Sequence, residues 1–156
     1  MSQNQTQNQS QSQSQSRYQK DNIFAKMIVG DIPCHKIFED DKTLAFMDIM
    51  PQARGHVLII PKQDATDLSE LEPEFAAAVL MTAKKVMKAQ QKVLNREGII
   101  QMQLNGAEAG QSVFHYHIHL IPANIHDLGR HANEMADSEE LAALAKDLAA
   151  AIEDEF

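Results

Sequence analysis

The chain has 156 residues, 44% of them apolar, enough for one domain with a real core. Its formal charge of −8 argues against a generic nucleic-acid binder, which carries a basic face, but leaves room for a small anionic substrate. Cys34 is the only cysteine, so neither an intramolecular disulfide nor a Cys-rich metal site can be built. No apolar run approaches the roughly 18–20 residues needed to span a bilayer. No apolar stretch marks the N-terminus for secretion either, so a cytoplasmic location without a membrane partner is expected.

Residues 1–16 are almost purely Gln, Ser and Asn. Such a tail has no apolar surface to bury and is expected to be disordered. From residue 17 to 156 the composition is that of a globular domain. Ile23-Phe24 to Ile28-Val29 places apolar residues at helical spacing and stops at a Gly30-Asp31-Ile32-Pro33 turn. Strands are expected at Lys36–Glu39, Thr43–Met47 and His56–Ile60, the first two joined by an Asp40-Asp41-Lys42 hairpin loop. A long helix follows from Pro73 to Asn95, with proline in its first turn and a stripe of Val79, Val86 and Val93; Gly98 supplies the stop. Two further strands, Ile99–Leu104 and Phe114–Ile121, flank a glycine-bearing loop. Asp137 or Ser138 caps a last helix striped by Leu141, Leu144, Leu148 and Ile152. Short hairpin links make the class α+β, with a mostly antiparallel sheet, one long helix and an additional C-terminal helix.

The chemistry concentrates in His115, His117 and His119, which alternate with Tyr116, Ile118 and Leu120. Successive side chains of a strand point to opposite faces, so the three imidazoles line one face at about 6.5–7 Å per pair of residues. Two chemistries suit such a trio. His-x-His on a strand can ligate a transition metal, with His56, His126 or His131 as further candidates; His131 reads better as a surface residue. Alternatively, a central imidazole with one free nitrogen attacks phosphorus while its neighbours assist. The approach segment Gly110-Gln111-Ser112 brings a turn, an amide and a hydroxyl to the mouth of the strand. Those groups suit phosphate oxygens, and a metal site has no obvious need of them.

The run from Ala109 through His115-Tyr116-His117-Ile118-His119 to Pro122 resembles the signature of the histidine triad (HIT) family. The blocks Ala45–Lys62 and Ile23–Pro33 also resemble it, so the likeness covers most of residues 22–122. The resemblance implies a HIT-like fold and a nucleotide hydrolase or transferase that cleaves at the α-phosphorus of purine nucleoside phosphoramidates or similar conjugates. His117 would be the nucleophile that takes the nucleotidyl group. His119 would contact the α-phosphate, His115 would orient or polarise the site, and His56 would support the triad from nearby. Asp48 would accept the ribose hydroxyls, although it also suits a turn cap. Phe24, Ile28 and Ile49 would wall the base pocket, the first two reading equally well as core. Gly110, Gln111 and Ser112 would hold the phosphate or leaving group. A homodimer is implied, and no cofactor is required.

The sequence departs from the family pattern in three places. Many bacterial members carry a zinc-binding Cys-x-x-Cys where this chain has Asn22 and Ala25, so that structural zinc site is expected to be absent. Relatives often place Asn or Gln six residues before the glycine matched by Gly110; here that residue is Leu104. Asn105 follows and remains a weaker nucleotide-binding candidate, because strand alternation turns it the other way. The chain also extends past Pro122 into a loop and a helix, which bears on specificity more than on chemistry. A dinucleoside polyphosphate hydrolase, a nucleotide-binding regulatory module with little turnover and a metal-dependent hydrolase remain the alternatives.

Overall fold

The computed structural model describes residues 17–129 and 134–155; the Gln/Ser-rich tail and His131 lie outside them. Helix α1 (Ile23–Ile28) begins at Asn22, whose side chain accepts the Ala25 N–H, and buries Phe24. Strands β1 (Lys36–Glu39), β2 (Thr43–Met47) and β3 (Val57–Pro61) follow, then helix α2 (Pro73–Leu94) and strands β4 (Ile100–Gln103) and β5 (Ile118–Ile121). Helix α3 (Ser138–Glu155) ends the described chain, and the Asp137 carboxylate accepts the Glu140 N–H at 3.0 Å as its cap. The five strands form one sheet in the order β1-β2-β3-β5-β4, with every neighbouring pair antiparallel.

Strand alternation divides the core cleanly. Ala45 and Met47 of β2, Val57 and Ile59 of β3, and Ile118 and Leu120 of β5 face one side. There they meet Val79, Val86 and Ala89 of α2 and Leu144 and Leu148 of α3. Leu44, Phe46, Leu58 and Ile60 face the other side and pack with Phe24 of α1. Both faces are covered, which is why β2 and β3 are buried along their whole lengths. Within α2, Gln90 is fully buried and donates to the carbonyls of Gly55 and Leu120, tying the helix to the sheet beneath the site. Gly55 has φ +89°, which strains any other residue, and a Cβ there would come within 2.6 Å of Leu94 Cδ1 and push that side chain aside.

Two sequence expectations need adjustment. Helix α2 stops at Asn95, which adopts a left-handed φ of 51°, and not at Gly98. More consequentially, the last strand starts at Ile118 and not at Phe114. The register pairs Ile59 with Ile118, so its continuation would set Pro61 opposite Tyr116. Proline has no N–H to give to a ladder, and pairing stops. Tyr116 N–H instead donates to Ala65 O at 2.7 Å. His119 therefore sits in the ladder, opposite Leu58, while His115 and His117 precede it. The alternation nevertheless persists: Tyr116 joins the helix-side core, whereas His115 and His117 contact Phe24 on the other face.

Candidate active site

The three triad histidines and His56 are brought together on the α1 side of the sheet, and their hydrogen bonds determine where each proton sits. His115 Nε2 lies 2.8 Å from Pro61 O, and a carbonyl can only accept, so Nε2 carries the hydrogen. Its Nδ1 is then bare, and the Tyr18 hydroxyl donates to it at 2.6 Å. His117 Nδ1 donates to His115 O at 2.6 Å, which leaves His117 Nε2 with a free lone pair. The Gln52 backbone N–H donates to His56 Nδ1 at 3.0 Å, so His56 carries its hydrogen on Nε2 and directs it to His119 Nδ1 at 2.9 Å. His119 must then be protonated on Nε2. The His117 and His119 rings stand edge to face with centroids 5.0 Å apart, which sets a bare nitrogen beside a ring that bears a donor.

Electrostatics keep this array neutral. Burial, followed by its histidine neighbours His119 and His117, pushes His56 down to about 3. Burial lowers His119 to about 4, with His117 adding to the shift. His115 falls to about 4, again chiefly through burial and against the bond to Pro61. His117 is lowered by burial and partly restored by its bond to His115 O. A neutral His117 is the form able to attack.

Asp48 has two environments for its oxygens. Oδ1 accepts the Met50 N–H at 2.8 Å and caps the turn, while Oδ2 stands 3.5 Å from His56 Nε2. Because His56 is uncharged, that approach is a dipolar contact and not an ion pair. Burial raises the Asp48 carboxyl above its ordinary value, and the Met50 N–H opposes the shift. Ligand atoms of Asp48, His56 and His119 lie within 4.8 Å of one another, close enough for a metal by distance. Protonation argues against that use. The Gln52 N–H occupies the bare nitrogen of His56, so the nitrogen facing the cluster holds the proton. The cluster is a hydrogen-bond relay by its donor chemistry. The Asn22 and Ala25 positions are likewise spent on the α1 cap, their bond being 2.9 Å long.

The remaining candidates separate into core, loop brace and open rim. Phe24 is buried at 4% exposure, its ring edge-to-face with His117 at 5.0 Å, so it packs against that imidazole and is not an open wall. Ile28 is half-buried against the same cluster, and Ile49 is 48% exposed and free to wall a base. Gln111 is buried, and its amide N–H groups donate to Thr66 O and Val113 O while its oxygen accepts the Gly106 N–H. Its side-chain donors thus brace the loop and do not face a phosphate. Ser112 and Gly110 are exposed beside it, Gly110 with φ +103°. Asn105 needs the clearest correction. Its side-chain oxygen accepts from Leu68 N and from Gln103 Nε2, both at 2.9 Å, so it holds a neighbouring turn. Leu104 is the residue whose side chain lies against Gly110. Sequence reasoning missed Tyr18, Gln52 and Gln90, since isolated polar residues with no periodic partner give no signal. An open cleft of about 360 Å³ between the Pro51–Gly55 loop and Glu134–Leu144 is lined by none of the four histidines.

The cluster thus sets one bare imidazole nitrogen, His117 Nε2, among hydrogen-bonded histidines, an arrangement chemically able to act as a nucleophile. The chain belongs to the HIT family: the HIT domain model matches residues 29–126, well over half of its length. It is 45% identical over 100 residues to the adenosine 5′-monophosphoramidase hnt1 of Schizosaccharomyces pombe, covering 64% of this chain and 72% of that protein. It is 39% identical over 109 residues to the adenylylsulfatase HINT3 of Arabidopsis thaliana, covering 70% of this chain and 55% of that one. Among solved structures it resembles a Hit-like protein from Bartonella henselae, with a TM-score of 0.79 and 41% identity over 86% of this chain and 98% of that chain. No helix among the described residues is long and apolar enough to cross a membrane.

Proposed function

We propose that the protein is a nucleotide hydrolase or transferase that cleaves at the α-phosphorus of purine nucleoside phosphoramidates or similar nucleotide conjugates, through a covalent nucleotidyl-His117 intermediate. The observation that carries this reading is the free Nε2 lone pair of His117, set by the bond from its Nδ1 to His115 O. Nε2 attacks phosphorus, the bond to the leaving group breaks, and that group departs with the electron pair and the Nε2 proton of His119. Water then attacks the phosphorus, the phosphorus–Nε2 bond breaks with its electron pair returning to His117, a proton of the water passes to His119, and the nucleoside monophosphate is released. Two displacements replace one difficult step. Asp48 Oδ2 accepts from the ribose, Ile49 and Ile28 wall the base, and the Gly110–Ser112 segment meets the phosphate or leaving group.

The relatives named as an adenosine 5′-monophosphoramidase and an adenylylsulfatase support an adenosine 5′-phosphoryl group as the common part of the substrate. The reading requires no cofactor and places the reaction in the cytoplasm. It also includes a homodimer, which the unpaired edge of β4 and the exposed Leu80 and Met81 of α2 can accommodate. The test is to quench turnover of adenosine 5′-phosphoramidate in mid-reaction and locate the adduct by peptide mass spectrometry. An adenylyl group on His117 is the expected result, with His117→Ala losing both adduct and turnover while still binding AMP. Turnover that survives His117→Ala would sink the nucleophile assignment.

A further inference from the structure

We propose that Tyr18 is a positioning residue for the nucleophile: its hydroxyl, by donating to His115 Nδ1, fixes the ring and main chain of His115, whose carbonyl holds the Nδ1–H of His117. This inference rests on His117 being the nucleophile. Its origin lies in the break of the ladder at Pro61. A histidine inside a sheet is aimed by strand pairing, but His115 and His117 precede β5 and have no such frame. Three bonds stand in its place. Tyr116 N–H donates to Ala65 O at 2.7 Å, His115 Nε2 donates to Pro61 O at 2.8 Å, and the Tyr18 hydroxyl donates to His115 Nδ1 at 2.6 Å. All three partners are distant in sequence, and of them Tyr18 alone lies ahead of residues 29–126, which match the family.

The surroundings of Tyr18 suit a fixed donor. The residue is 7% exposed, and its ring stands edge-to-face with His115 at 5.5 Å. Burial raises the phenol above its ordinary value, so the hydroxyl keeps its proton at neutral pH. The adjacent Arg17 reaches Asp67 and Glu70, each at 3.1 Å, and Ser69 at 3.3 Å, which registers this N-terminal segment on the turn after β3. His115 itself is 0% exposed. Without the phenol its Nδ1 becomes a buried acceptor with no donor, and the ring is free to exchange its tautomer or turn away from Pro61. The carbonyl of the same residue would move with it, and with that carbonyl the proton that keeps His117 Nε2 bare.

The test compares wild type, Tyr18→Phe, His115→Ala and the double variant on adenosine 5′-phosphoramidate. Tyr18→Phe keeps the ring contact and removes only the hydroxyl. The expected result is a fall in kcat of about tenfold with KM unchanged within about twofold, because positioning acts on the reacting geometry and not on ground-state binding. In the His115→Ala background the same change should cost less than about twofold, since the residue through which it acts is gone. Unchanged kcat, a raised KM with kcat retained, or the same fall in both backgrounds overturns the proposal. A measurement on wild-type protein keeps the idea testable even if Tyr18→Phe folds poorly. Nitrogen-15 NMR should find His115 protonated on Nε2 with Nδ1 as acceptor, and the opposite tautomer refutes the mechanism. Failure of the underlying reading would look different, as an adenylyl adduct on a residue other than His117 in every variant.

Discussion

The histidine cluster and the loop that faces it are built to opposite specifications. Each ring of the cluster has at least one nitrogen in a hydrogen bond to a backbone carbonyl, a backbone N–H, a phenol or another imidazole, and His56 and His115 are buried outright. On the rim, Ile49, Gly110 and Ser112 are exposed, and the buried side chain between Gly110 and Ser112, Gln111, points its donors back into the protein. The difference teaches where fixed geometry matters. A nucleophile needs one tautomer and one direction, which only a closed network enforces.

Breaking the closed half should have the largest effects. His119→Ala removes the ring beside the nucleophile and its Nε2 proton, with an expected loss of about a thousandfold in kcat, within the range of a positioned acid–base group. His56→Ala leaves His119 in place but frees its tautomer, and about a hundredfold loss is expected. Steady-state kinetics on adenosine 5′-phosphoramidate check both, and equal losses would deny His56 its place behind His119. Both variants need thermal unfolding alongside, because His56 also fills core volume.

The neutrality of the same cluster gives a pH prediction of intermediate size. His115 and His119 stand near 4 and His56 near 3, against an ordinary value of 6.5. On acidification the unfolded chain therefore takes up these protons first. Stability from these groups is fully present above about pH 6.5 and is lost as pH falls through 6.5 toward 4, by up to about 1.4 kcal/mol per pH unit for each histidine. Denaturant midpoints measured between pH 7 and pH 4 should fall steadily. In a variant with His56 and His115 both replaced, the slope should flatten, and an unchanged slope would show that other groups carry it.

How much of this was legible in the sequence follows the same division. The apolar runs Leu44 to Met47 and Val57 to Ile60 read as strands, and the stripes of α2 and α3 read as core-facing, which the two clusters on either side of the sheet match. The triad reads as one face because alternation survives even where pairing fails. The failure itself was also written there, in Pro61, but it becomes visible only once the register sets Pro61 against Tyr116. Tyr18 and Gln90 act through contacts between residues 30 or more positions apart and Gln52 through its backbone N–H, and neither leaves a pattern. Gln111 shows the converse hazard: a residue chemically suited to phosphate that spends its amide on its own loop.

The open half invites the mildest change and the sharpest contrast between adjacent residues. Leu104 lies against Gly110, whereas Asn105 turns back to Leu68 and Gln103. Leu104→Asn puts an amide donor beside the turn, and KM for adenosine 5′-phosphoramidate should fall a few-fold, about the 1 kcal/mol of one added hydrogen bond, with kcat little altered. Asn105→Ala removes an acceptor that serves only the neighbouring turn, so kinetics should be unchanged within about twofold while the unfolding free energy drops by about 1 kcal/mol. If the two variants exchanged these phenotypes, Asn105 would be the residue that meets the nucleotide, and the rim would be more closely built than its exposure indicates. The pair is informative because the two residues are adjacent just past β4 and their side chains have different neighbours, Gly110 for one and Leu68 and Gln103 for the other.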